Sequence, residues 1–465
     1  MPDRHRFTSS LFSDALIAPL QPLLKAIQKA GGWPLVVGGA VRDQLLGLQS
    51  KDIDIEVYRL APDHLVAALA PFGAVNAVGR SFGVLKLRLP DGFELDVALP
   101  RRENRSGPRG ALGEPDPAMT PQEAAARRDF TWNALAITPD GELLDFYGGV
   151  DDLRNGIIRH VSAAFGEDPL RVLRAMQFAA RFDMRLAPET AEVCRALLPQ
   201  APHLARERVW GEWWKWAVQG AVPSAGLHVL QQTGWIAQYP ALVATIGSEQ
   251  DPHYHPEGDV WTHTCHVCDA AARLAERDGL HGEDRAVLLF AALCHDLGKP
   301  ETQQRSANGR IRNPGHAAAG VPHTEALLRH IGAWQRIIDR VVPLVREHSA
   351  HFSMKPTPRM VRRLAARLAP ATIVEWGRLI EADFGGRPPL PPRAPAADIV
   401  ALAQEHNIAV QPMAPILRGR DLLAAGIAAG PQLGALLHAA YEAQLDGAFT
   451  TVEEGLEWMR EHRTL

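Results

Sequence analysis

The sequence VGGAVRD at residues 37–43, followed by KDID at residues 51–54, decides the fold of the first part of the chain. The glycine pair precedes a predicted helix, so backbone N–H groups can approach phosphate oxygens at the positive end of that helix. Side chains alternate along an extended strand, and Asp52 and Asp54 therefore project from the same face. Two such carboxylates suit Mg²⁺, which takes its remaining ligands from bound phosphates. This order of turn, helix, loop and acidic strand predicts a site for a nucleoside triphosphate and magnesium, although acidic pairs and glycine turns also occur without one.

The composition is that of an ordinary globular protein. The chain has 465 residues, of which 46% are hydrophobic and 22% are charged, and this length suggests roughly two to four domains. No apolar run approaches the ~20 residues that span a bilayer, and the N-terminus lacks the apolar core of a signal peptide. We therefore expect a cytoplasmic protein with no membrane partner. The cysteines, including the pair at Cys265 and Cys268, are expected in the core, because no second pair completes a zinc motif.

Positive charge is concentrated in the first two-fifths of the chain, although the formal net charge is −4. Arginines cluster at residues 101–109, 127–128 and 171–181. A basic patch on an acidic protein is compatible with an RNA partner, while a set of solvated surface arginines is the alternative.

The periodicity of the sequence predicts a small sheet followed by helices. We expect a helix up to about residue 30, a Gly-, Pro- and Arg-rich mobile loop from 101 to 121, helices from Asp168 almost to the end, and a Pro-rich linker at 387–395. The predicted strands are 35–37, 53–57, 84–89, 93–98 and a last pair around the turn Asp140-Gly141.

Five motifs occur in a fixed order along the first half of the chain. They are GGAVRD at 38–43, D-x-D at 52–54, RRDFTWNALA at 127–136, DFYGG at 145–149 and EDPLRVLR at 167–174. Together they resemble the ordered motifs of class II tRNA nucleotidyltransferases, which include CCA-adding enzymes and bacterial poly(A) polymerases. The resemblance implies an α+β fold, with a polymerase-beta-like palm of a small mixed sheet and helices, followed by a mostly α-helical neck and body.

The resemblance also implies roles for particular residues in nucleotidyl transfer. Asp52 and Asp54 would bind two Mg²⁺ ions that activate the RNA 3′-hydroxyl and steady the departing pyrophosphate, and Asp96 is a candidate for the third catalytic carboxylate. An ordinary aspartate at a strand end is an equal alternative for Asp96. The residues matched to nucleotide binding are Gly38, Gly39, Arg42, Arg128, Asp129 (at the ribose) and Arg174.

Nucleotide choice is assigned by the resemblance to the EDPLRVLR motif. Pro169 suits a first helical turn, so Asp168 is predicted to open a helix, with Arg171 three residues on along the same face. In the family this pair reads the Watson–Crick edge of the incoming base in place of a template. A carboxylate accepts from the exocyclic amine shared by C and A, and a guanidinium donates to ring and carbonyl acceptors. Without the resemblance, a helix-capping aspartate beside a salt-bridged arginine is the more ordinary interpretation.

Two positions depart from the usual family pattern. Gln177 stands where another arginine is common, and Trp132 replaces a small aliphatic residue. These departures concern the phosphate contacts and the packing of the motifs rather than the class of reaction.

A second group of residues follows the H…HD…D order of HD-superfamily phosphohydrolases, with CHDLGK at 294–299 as its specific part. The implied metal ligands are His263, His295, Asp296 and Asp383. Imidazole and carboxylate together suit Ni²⁺, Mn²⁺, Co²⁺ or Fe²⁺, which would activate water against a phosphoester. The residues expected to bind the phosphate are Lys299, His316 and His348.

These observations predict four regions and one main function. The regions are a nucleotidyltransferase head at 1–160, a helical neck and body at 161–245, an all-α HD domain at 246–385, and a linker with a helical tail at 386–465. The combination resembles multifunctional CCA proteins, which implies addition of C, C and A to tRNA from CTP and ATP, with an added phosphodiesterase or phosphatase activity.

Other functions stay open at this point. A poly(A) polymerase, or an enzyme that adds only CC or only A, shares the head motifs. A bifunctional alarmone synthetase and hydrolase also pairs the two activities, but there the HD domain comes first. A non-catalytic RNA-binding module is a third alternative, against which the intact acidic and histidine motifs speak. The oligomeric state, monomer or dimer, also stays open.

Overall fold

The structure, a computed structural model, divides the chain into two compact units. The first comprises residues 1–175 and 184–202, and the second comprises residues 176–183 and 203–465. The residues described are 16–50, 52–76, 84–90, 92–102, 114–116, 118–352, 356–387 and 396–462. The predicted helix before residue 16, the middle of the 101–121 loop and most of the 387–395 linker lie outside the described residues.

A mixed sheet forms the centre of the first unit. Its seven strands lie in the order β3-β4-β5-β2-β1-β8-β9. Strand β2 pairs antiparallel with β1 and parallel with β5, which makes the sheet mixed, as predicted. The strands of the chain are β1 (Trp33–Val37), β2 (Ile53–Tyr58), β3 (Ala74–Asn76), β4 (Val84–Arg88), β5 (Glu94–Ala98), β6 (Arg101–Arg102), β7 (Glu114–Pro115), β8 (Ala136–Ile137), β9 (Leu143–Leu144), β10 (Ile157–Ile158), β11 (Arg185–Leu186), β12 (Gln304–Arg305) and β13 (Ile311–Arg312).

Helices cover the sheet and continue the first unit. Leu23, Leu24 and Ile27 on α1 are buried, because their spacing places them on one face of that helix. Helix α6 passes from the first unit into the second. The helices up to this boundary are α1 (Gln21–Lys29), α2 (Gly39–Leu45), α3 (Pro62–Leu69), α4 (Pro121–Ala125), α5 (Gly149–Asn155), α6 (Arg171–Phe182) and α7 (Pro188–Ala196).

The second unit is almost entirely helical. Helix α11 packs against α12 and α17, and α14 packs against α15. These helices are α8 (Arg206–Gln219), α9 (Pro223–Gln232), α10 (Pro240–Val243), α11 (Val260–Arg277), α12 (Gly282–Cys294), α13 (Lys299–Thr302), α14 (His316–His330), α15 (Gln335–Glu347), α16 (Pro358–Leu368), α17 (Ile373–Gly385), α18 (Ala397–Glu405), α19 (Gly419–Ala424), α20 (Pro431–Asp446) and α21 (Val452–Glu461). Within the described residues, no helix is both long and apolar enough to span a membrane.

The structure differs from the sequence-based expectations in its short strands and at the start of α6. Strands β3, β6, β7, β10 and β11 were not predicted, because runs of two or three residues are too short to show an alternating pattern. The domain expected to be all-α contains the hairpin β12–β13, which closes over Gly309, where φ is +79°. Helix α6 begins at Arg171 rather than directly after Asp168: Asp168 is extended, and its carbonyl and side chain accept hydrogen bonds from the amides of Arg171 and Leu170, so it starts the turn that leads into α6.

Candidate active sites

An acidic surface forms on one face of the central sheet. Asp54 on β2 and Asp96 on β5 are direct neighbours in the parallel register, so both side chains project from the same face. Asp52 lies just before β2 and is exposed. Lys86 on β4 is paired with Asp96 across the next strand, and its Nζ lies 3.2 Å from Asp96 Oδ1. The structure therefore brings the three predicted carboxylates to one face of the central sheet. Lys86 is their neighbour, and sequence reasoning missed it.

The electrostatics of this face favour a cation. Burial raises the pKa of Asp54, and the negative charges of Asp96, Asp52 and Glu56 raise it further, while Arg128 acts in the opposite direction. Carboxylates that repel one another in this way are stabilised by a divalent cation between them. The donor set therefore fits Mg²⁺.

Arg128 lies close both to Gly38, in the turn before α2, and to Asp54, on the acidic face. Gly38 has φ +74° and ψ −130°, a conformation that residues with a Cβ rarely adopt. A Cβ placed on Gly38 would lie 2.7 Å from Nη1 of Arg128 and 3.8 Å from Oδ2 of Asp54. Arg128 Nη2 is also 3.7 Å from Glu56 Oε2. Helix α2 begins at Gly39, so its N-terminus, Arg128 and Asp54 lie together.

Arg42 points into the protein. Its guanidinium is buried, donates from Nε to Asp43 Oδ1 at 2.7 Å and from Nη1 to Asn133 Oδ1 at 2.9 Å. It also lies over the ring of Trp132, 5.6 Å from the centroid. Trp132 is fully buried and donates its indole N–H to the carbonyl of Ile157. Trp132 thus packs in the core against Arg42. The guanidinium of Arg42 contacts protein groups, whereas sequence reasoning assigned Arg42 to binding of the triphosphate.

Asn133 connects the glycine turn to helix α6 through Asp129 and Arg174. It accepts from Arg42, and its Nδ2 donates to Asp129 Oδ1 at 3.0 Å. Asp129 in turn accepts from Arg174 Nη2, with 2.7 Å between the atoms. Burial alone would raise the pKa of Asp129, but Arg174 and the hydrogen bonds from Asn133 and the Phe130 amide lower it below its ordinary value. Asn133 belongs to the RRDFTWNA motif, but sequence reasoning assigned no role to it.

The two residues assigned to base reading lie at the start of α6. Asp168 Oδ1 accepts a hydrogen bond from the Leu170 amide at 3.2 Å. Arg171 donates from Nη1 to the carbonyl of Ala164 and from Nη2 to the carbonyl of Arg127, each at 2.7 Å. Both guanidinium contacts go to main-chain oxygens, which fixes the plane of the group.

Further along α6, Gln177 is buried, and its Oε1 accepts no hydrogen bond from the described residues.

In the second unit, the predicted residues lie at the ends of five helices, α11, α12, α14, α15 and α17. Asp259 caps α11 by accepting from the Thr262 amide at 2.8 Å, which places His263 in the first turn. Thr372 and Glu375 form a capping box that starts α17, the helix of Asp383. The other groups are His295 and Asp296 after α12, His316 at the start of α14, and His348 at the end of α15.

The four residues of the H…HD…D pattern form one buried cluster. His263 Nε2 is 3.1 Å from Asp383 Oδ1 and 3.4 Å from His295 Nε2. Oδ2 of Asp296 is 3.0 Å from His295 Nε2 and 3.7 Å from His263 Nε2. The atoms of His263, His295 and Asp296 converge as the ligands of a borderline divalent metal do, and Asp383 contacts this group through His263.

The acidic members of the cluster stay ionised despite burial. Burial alone would raise the pKa of Asp296, but His295 and Lys299 hold it well below its ordinary value. The pKa of Asp383 is lowered by His263 and Arg387. Lys299 Nζ lies 2.7 Å from Asp296 Oδ2 and donates to Gln250 Oε1 at 2.6 Å.

Glu257 orients His263 from outside the cluster, and sequence reasoning missed it. Its Oε1 lies 2.7 Å from His263 Nδ1 and 2.9 Å from His255 Nδ1. A carboxylate on the far nitrogen fixes the tautomer of a metal-binding histidine and raises its basicity. The stretch HPEGD before α11 shows the acid, but sequence alone does not show that it turns back onto His263.

Gly298 explains the glycine of the CHDLGK motif. A Cβ at this position would lie 2.2 Å from the carbonyl oxygen of His316 and 2.4 Å from the Gly320 amide nitrogen. Only glycine therefore lets the segment after Asp296 pack directly on the first turns of α14, and this packing brings His316 to Asp296.

Comparison with known proteins identifies two domain families in the chain. Residues 35–159 match the poly(A) polymerase head domain, and residues 260–405 match the HD domain. The multifunctional CCA protein of Nitrosococcus oceani is 35% identical over 403 residues, which cover 84% of this chain and 93% of that protein. That of Chromobacterium violaceum is 38% identical over 335 residues, covering 71% and 77%.

Solved structures confirm the fold class. The CCA-adding enzyme of Bacillus stearothermophilus in complex with CTP superposes with a TM-score of 0.64 at 22% identity, covering 96% of this chain and 98% of that one. The Thermotoga maritima CCA-adding enzyme complexed with tRNA gives a TM-score of 0.59 at 20% identity, covering 98% and 99%. The predicted polymerase-beta-like head, helical body and HD domain are therefore present.

Proposed function

The chain belongs to the family of multifunctional CCA proteins, and on that basis we propose that it adds C, C and A to the 3′ end of tRNA from CTP and ATP with release of pyrophosphate. The observation that carries the proposal is the register of β2 and β5, which places Asp54 beside Asp96 next to the glycine turn and Arg128. Substrates of the reaction are thus tRNA, CTP and ATP.

The geometry supports a role for each part of the head. Asp52, Asp54 and Asp96 would hold Mg²⁺, which when bound supplies charge stabilisation for the attacking hydroxyl and the leaving pyrophosphate. The start of α2 and the guanidinium of Arg128 lie close together at Gly38 and would bind the triphosphate.

Base selection would fall to the start of α6. Asp168 offers a carboxylate to an exocyclic amine, and Arg171, held in plane by two carbonyls, offers donors to ring and carbonyl acceptors. G and U would leave one of these charged groups without a partner, so selection needs no nucleic-acid template. Asp129 and Arg174, paired with each other, would support this helix rather than touch the base.

For the second unit we propose a metal-dependent phosphodiesterase or phosphatase activity. His263, His295, Asp296 and Asp383 would hold Ni²⁺, Mn²⁺, Co²⁺ or Fe²⁺, which when bound supplies an activated water. Lys299, next to Asp296, is placed to bind a phosphate oxygen of the substrate.

The first experiment tests which ends the enzyme makes. Purified protein is incubated with tRNA lacking its 3′-terminal CCA, Mg²⁺ and each nucleoside triphosphate alone or all together, and the product ends are sequenced. Growth that stops at CCA supports the proposal. A tail of A only, or termination after CC, would instead identify a poly(A) polymerase or a partial adding enzyme.

A matched pair of variants tests the assignment of the acidic face. Asp52→Ala is expected to abolish extension at unchanged tRNA affinity. Glu94→Gln is the control, because Glu94 lies on β5 two residues before Asp96 and is exposed. Extension by Asp52→Ala at the wild-type rate would refute the role of this face, and weaker tRNA binding by the same variant would indicate a binding role.

A further inference from the structure

The face of the central sheet that carries the acidic residues also carries two cations on β4. Lys86 on β4 is paired with Asp96 on β5, and Asp96 is paired with Asp54 on β2. Residues paired directly across strands point to the same face, so these three side chains form one row. Arg88 follows Lys86 by two residues and shares this face, while Leu87 between them is buried.

Lys86 contacts Asp96 and stays accessible to solvent. Its Nζ lies 3.2 Å from Oδ1 of Asp96, and its side chain is 49% exposed. An ammonium group carries three N–H donors, so an ion pair with one carboxylate oxygen leaves donors for a second anionic group. Lys86 is therefore able to bind an anion without leaving Asp96.

The two ends of this row lie on opposite sides of Asp54. Four adjacent strands of the sheet have the order β4-β5-β2-β1, and the glycine turn follows β1. Gly38 and Arg128 therefore lie on one side of Asp54, and Lys86 lies on the other side, beyond Asp96. Because neighbouring strands are about 4.8 Å apart, the backbone of Lys86 is about 10 Å from that of Asp54.

Nucleotidyl transfer places the attacking and leaving oxygens roughly in line on the reacting phosphorus. With the triphosphate at the glycine turn and Arg128, as proposed above, the pyrophosphate would leave on that side. The RNA 3′-hydroxyl would then approach from the side of Asp96, and the strand that carries it would pass over β4. The carboxylates of this face would repel the phosphates of that strand, whereas Lys86 and Arg88 would attract them.

We propose that Lys86 binds the phosphate nearest the 3′ end of the RNA strand to be extended, with Arg88 beside it for the next phosphate. The proposal rests on the nucleotidyl transfer proposed above and adds the RNA side of that site. Two residues of extended strand separate the cations by about 6–7 Å, a distance comparable with that between successive phosphates of an RNA strand. Because the contact is to the backbone, it is independent of which nucleotide is added.

The first test removes one charge from each partner. Stem-loop RNAs that copy a tRNA acceptor arm and end before CCA are synthesised with either a natural phosphodiester or an uncharged methylphosphonate as the last linkage. Lys86→Gln is expected to raise the KM for the natural RNA about fivefold and to leave the KM for CTP near the wild-type value. The methylphosphonate should raise the KM of the wild type by a similar factor, and should add nothing further in Lys86→Gln.

The dependence of binding on salt gives an independent measurement. Each phosphate contact contributes about 0.7–0.9 to the slope of log Kd against log salt concentration. Fluorescence anisotropy of the natural RNA, titrated without nucleotide, should show a slope smaller by about this amount for Lys86→Gln. Lys86→Arg keeps the charge and should restore most of the slope and of the KM.

Lys25→Gln is the matched control, because it removes the charge of an exposed lysine on α1. Ile27 of α1 and Val57 of β2 both adjoin Gly32, and Val57 points to the face of the sheet opposite to Asp54. Helix α1 thus packs on the other side of the sheet, and Lys25→Gln should keep the wild-type KM and salt slope. Circular dichroism melts of every variant check that the fold is retained.

The outcomes separate the RNA contact from the proposed function. Additive effects of Lys86→Gln and the methylphosphonate, or an unchanged salt slope, would overturn the contact and leave CCA addition intact. A fall in kcat alone would show that Lys86 acts only through Asp96, which would also overturn it. A wild type that binds the RNA but extends it with no nucleotide would refute the proposed function, and a smaller salt slope for Lys86→Gln would then still support the contact.

Discussion

At the scale of single residues, Gly38 combines a left-handed backbone conformation with a close approach to Arg128 at the proposed triphosphate site. Its φ of +74° excludes ordinary side chains, and a Cβ would lie 2.7 Å from Nη1 of Arg128. We expect Gly38→Ala to cost about 1–3 kcal/mol of stability through backbone strain. It should also displace Arg128 and raise the KM for CTP about tenfold, which corresponds to ~1.4 kcal/mol.

Gly31 provides the control for this prediction, measured by steady-state kinetics and urea unfolding. Its φ is +93°, and nothing lies within 4 Å of the position that a Cβ would take. Gly31→Ala should therefore lose stability to a similar degree and keep the wild-type KM. An equal rise of KM in both variants would show that strain alone, rather than the contact with Arg128, accounts for the change.

The lowered pKa of Asp129 predicts how the stability of the protein depends on pH. Because its pKa in the folded protein is lowered by Arg174, its contribution to stability is present above the ordinary aspartate pKa and is lost as pH falls through the lowered value. Because the Arg174 side chain is 32% exposed and can be solvated, we expect Asp129→Asn to cost about 1.5–3 kcal/mol, the range for a hydrogen bond to a charged group.

Denaturant unfolding of the wild type and of Asp129→Asn across a pH series tests whether the stabilising effect of Asp129 is lost only at low pH. The difference in unfolding free energy should be constant from about pH 7 to pH 5 and shrink only below about pH 4, since the unfolded carboxyl titrates near there. A difference that already fell between pH 7 and pH 5 would contradict the assignment. Asp151→Asn, an exposed partner of Arg154 on α5, is the control and should change stability little at any pH.

At the scale of elements, the start of α6 fixes the orientation of a guanidinium. Arg171 spans the carbonyls of Ala164 and Arg127, and a lysine cannot reproduce this planar two-point contact. We expect Arg171→Lys to reduce kcat/KM for CTP by roughly tenfold to a hundredfold, equivalent to about 1–3 kcal/mol of lost base discrimination. Misincorporation of U and G should increase.

Sequencing of the products made from each nucleoside triphosphate measures this effect. Arg154→Lys, a change to an exposed arginine on α5, is the control and should leave nucleotide choice unaltered. A uniform loss for all four nucleotides by Arg171→Lys, without misincorporation, would assign Arg171 to folding of the helix start rather than to base reading.

The elements also show what sequence could predict. The alternation of Asp54 and Ile55 along β2 and the apolar face of α1 follow from local periodicity, and the structure has both elements. The inward turn of Arg42 depends on Asn133, which is far away in the sequence, so no local pattern could show it. Asp168 starts the turn into α6 as predicted, but the α-helix itself begins only at Arg171, because the Arg171 and Val172 amides bond to the carbonyls three residues back.

The second site was predicted as a set of residues but not as a geometry. The spacing of His263, His295 and Asp383 identifies the pattern, and the structure brings them together. That Asp296 presents one oxygen to each of two histidine pairs depends on where α14 begins and α15 ends, and on the close packing at Gly298. Such tertiary contacts leave no periodic signal in the sequence.

At the scale of the whole molecule, the two sites lie in different compact units and use different ligands. The head site consists of carboxylates in the first unit, and the second site combines imidazoles with carboxylates in the second unit. Oxygen-only sites suit Mg²⁺, whereas imidazole favours later transition metals such as Co²⁺ and Ni²⁺. Metal removal and replacement should therefore separate the two activities.

We expect chelation to abolish both activities, Mg²⁺ to restore CCA addition alone, and Ni²⁺ or Co²⁺ to restore hydrolysis of a phosphodiester. Asp52→Ala should lose only nucleotide addition, and His295→Ala only hydrolysis, because each removes a ligand from one site. Both reactions are measured on the same protein preparations after dialysis against chelator, with His323→Ala as the control that keeps both. Loss of CCA addition by His295→Ala to the level of Asp52→Ala would show instead that the second unit is required for the chemistry of the first.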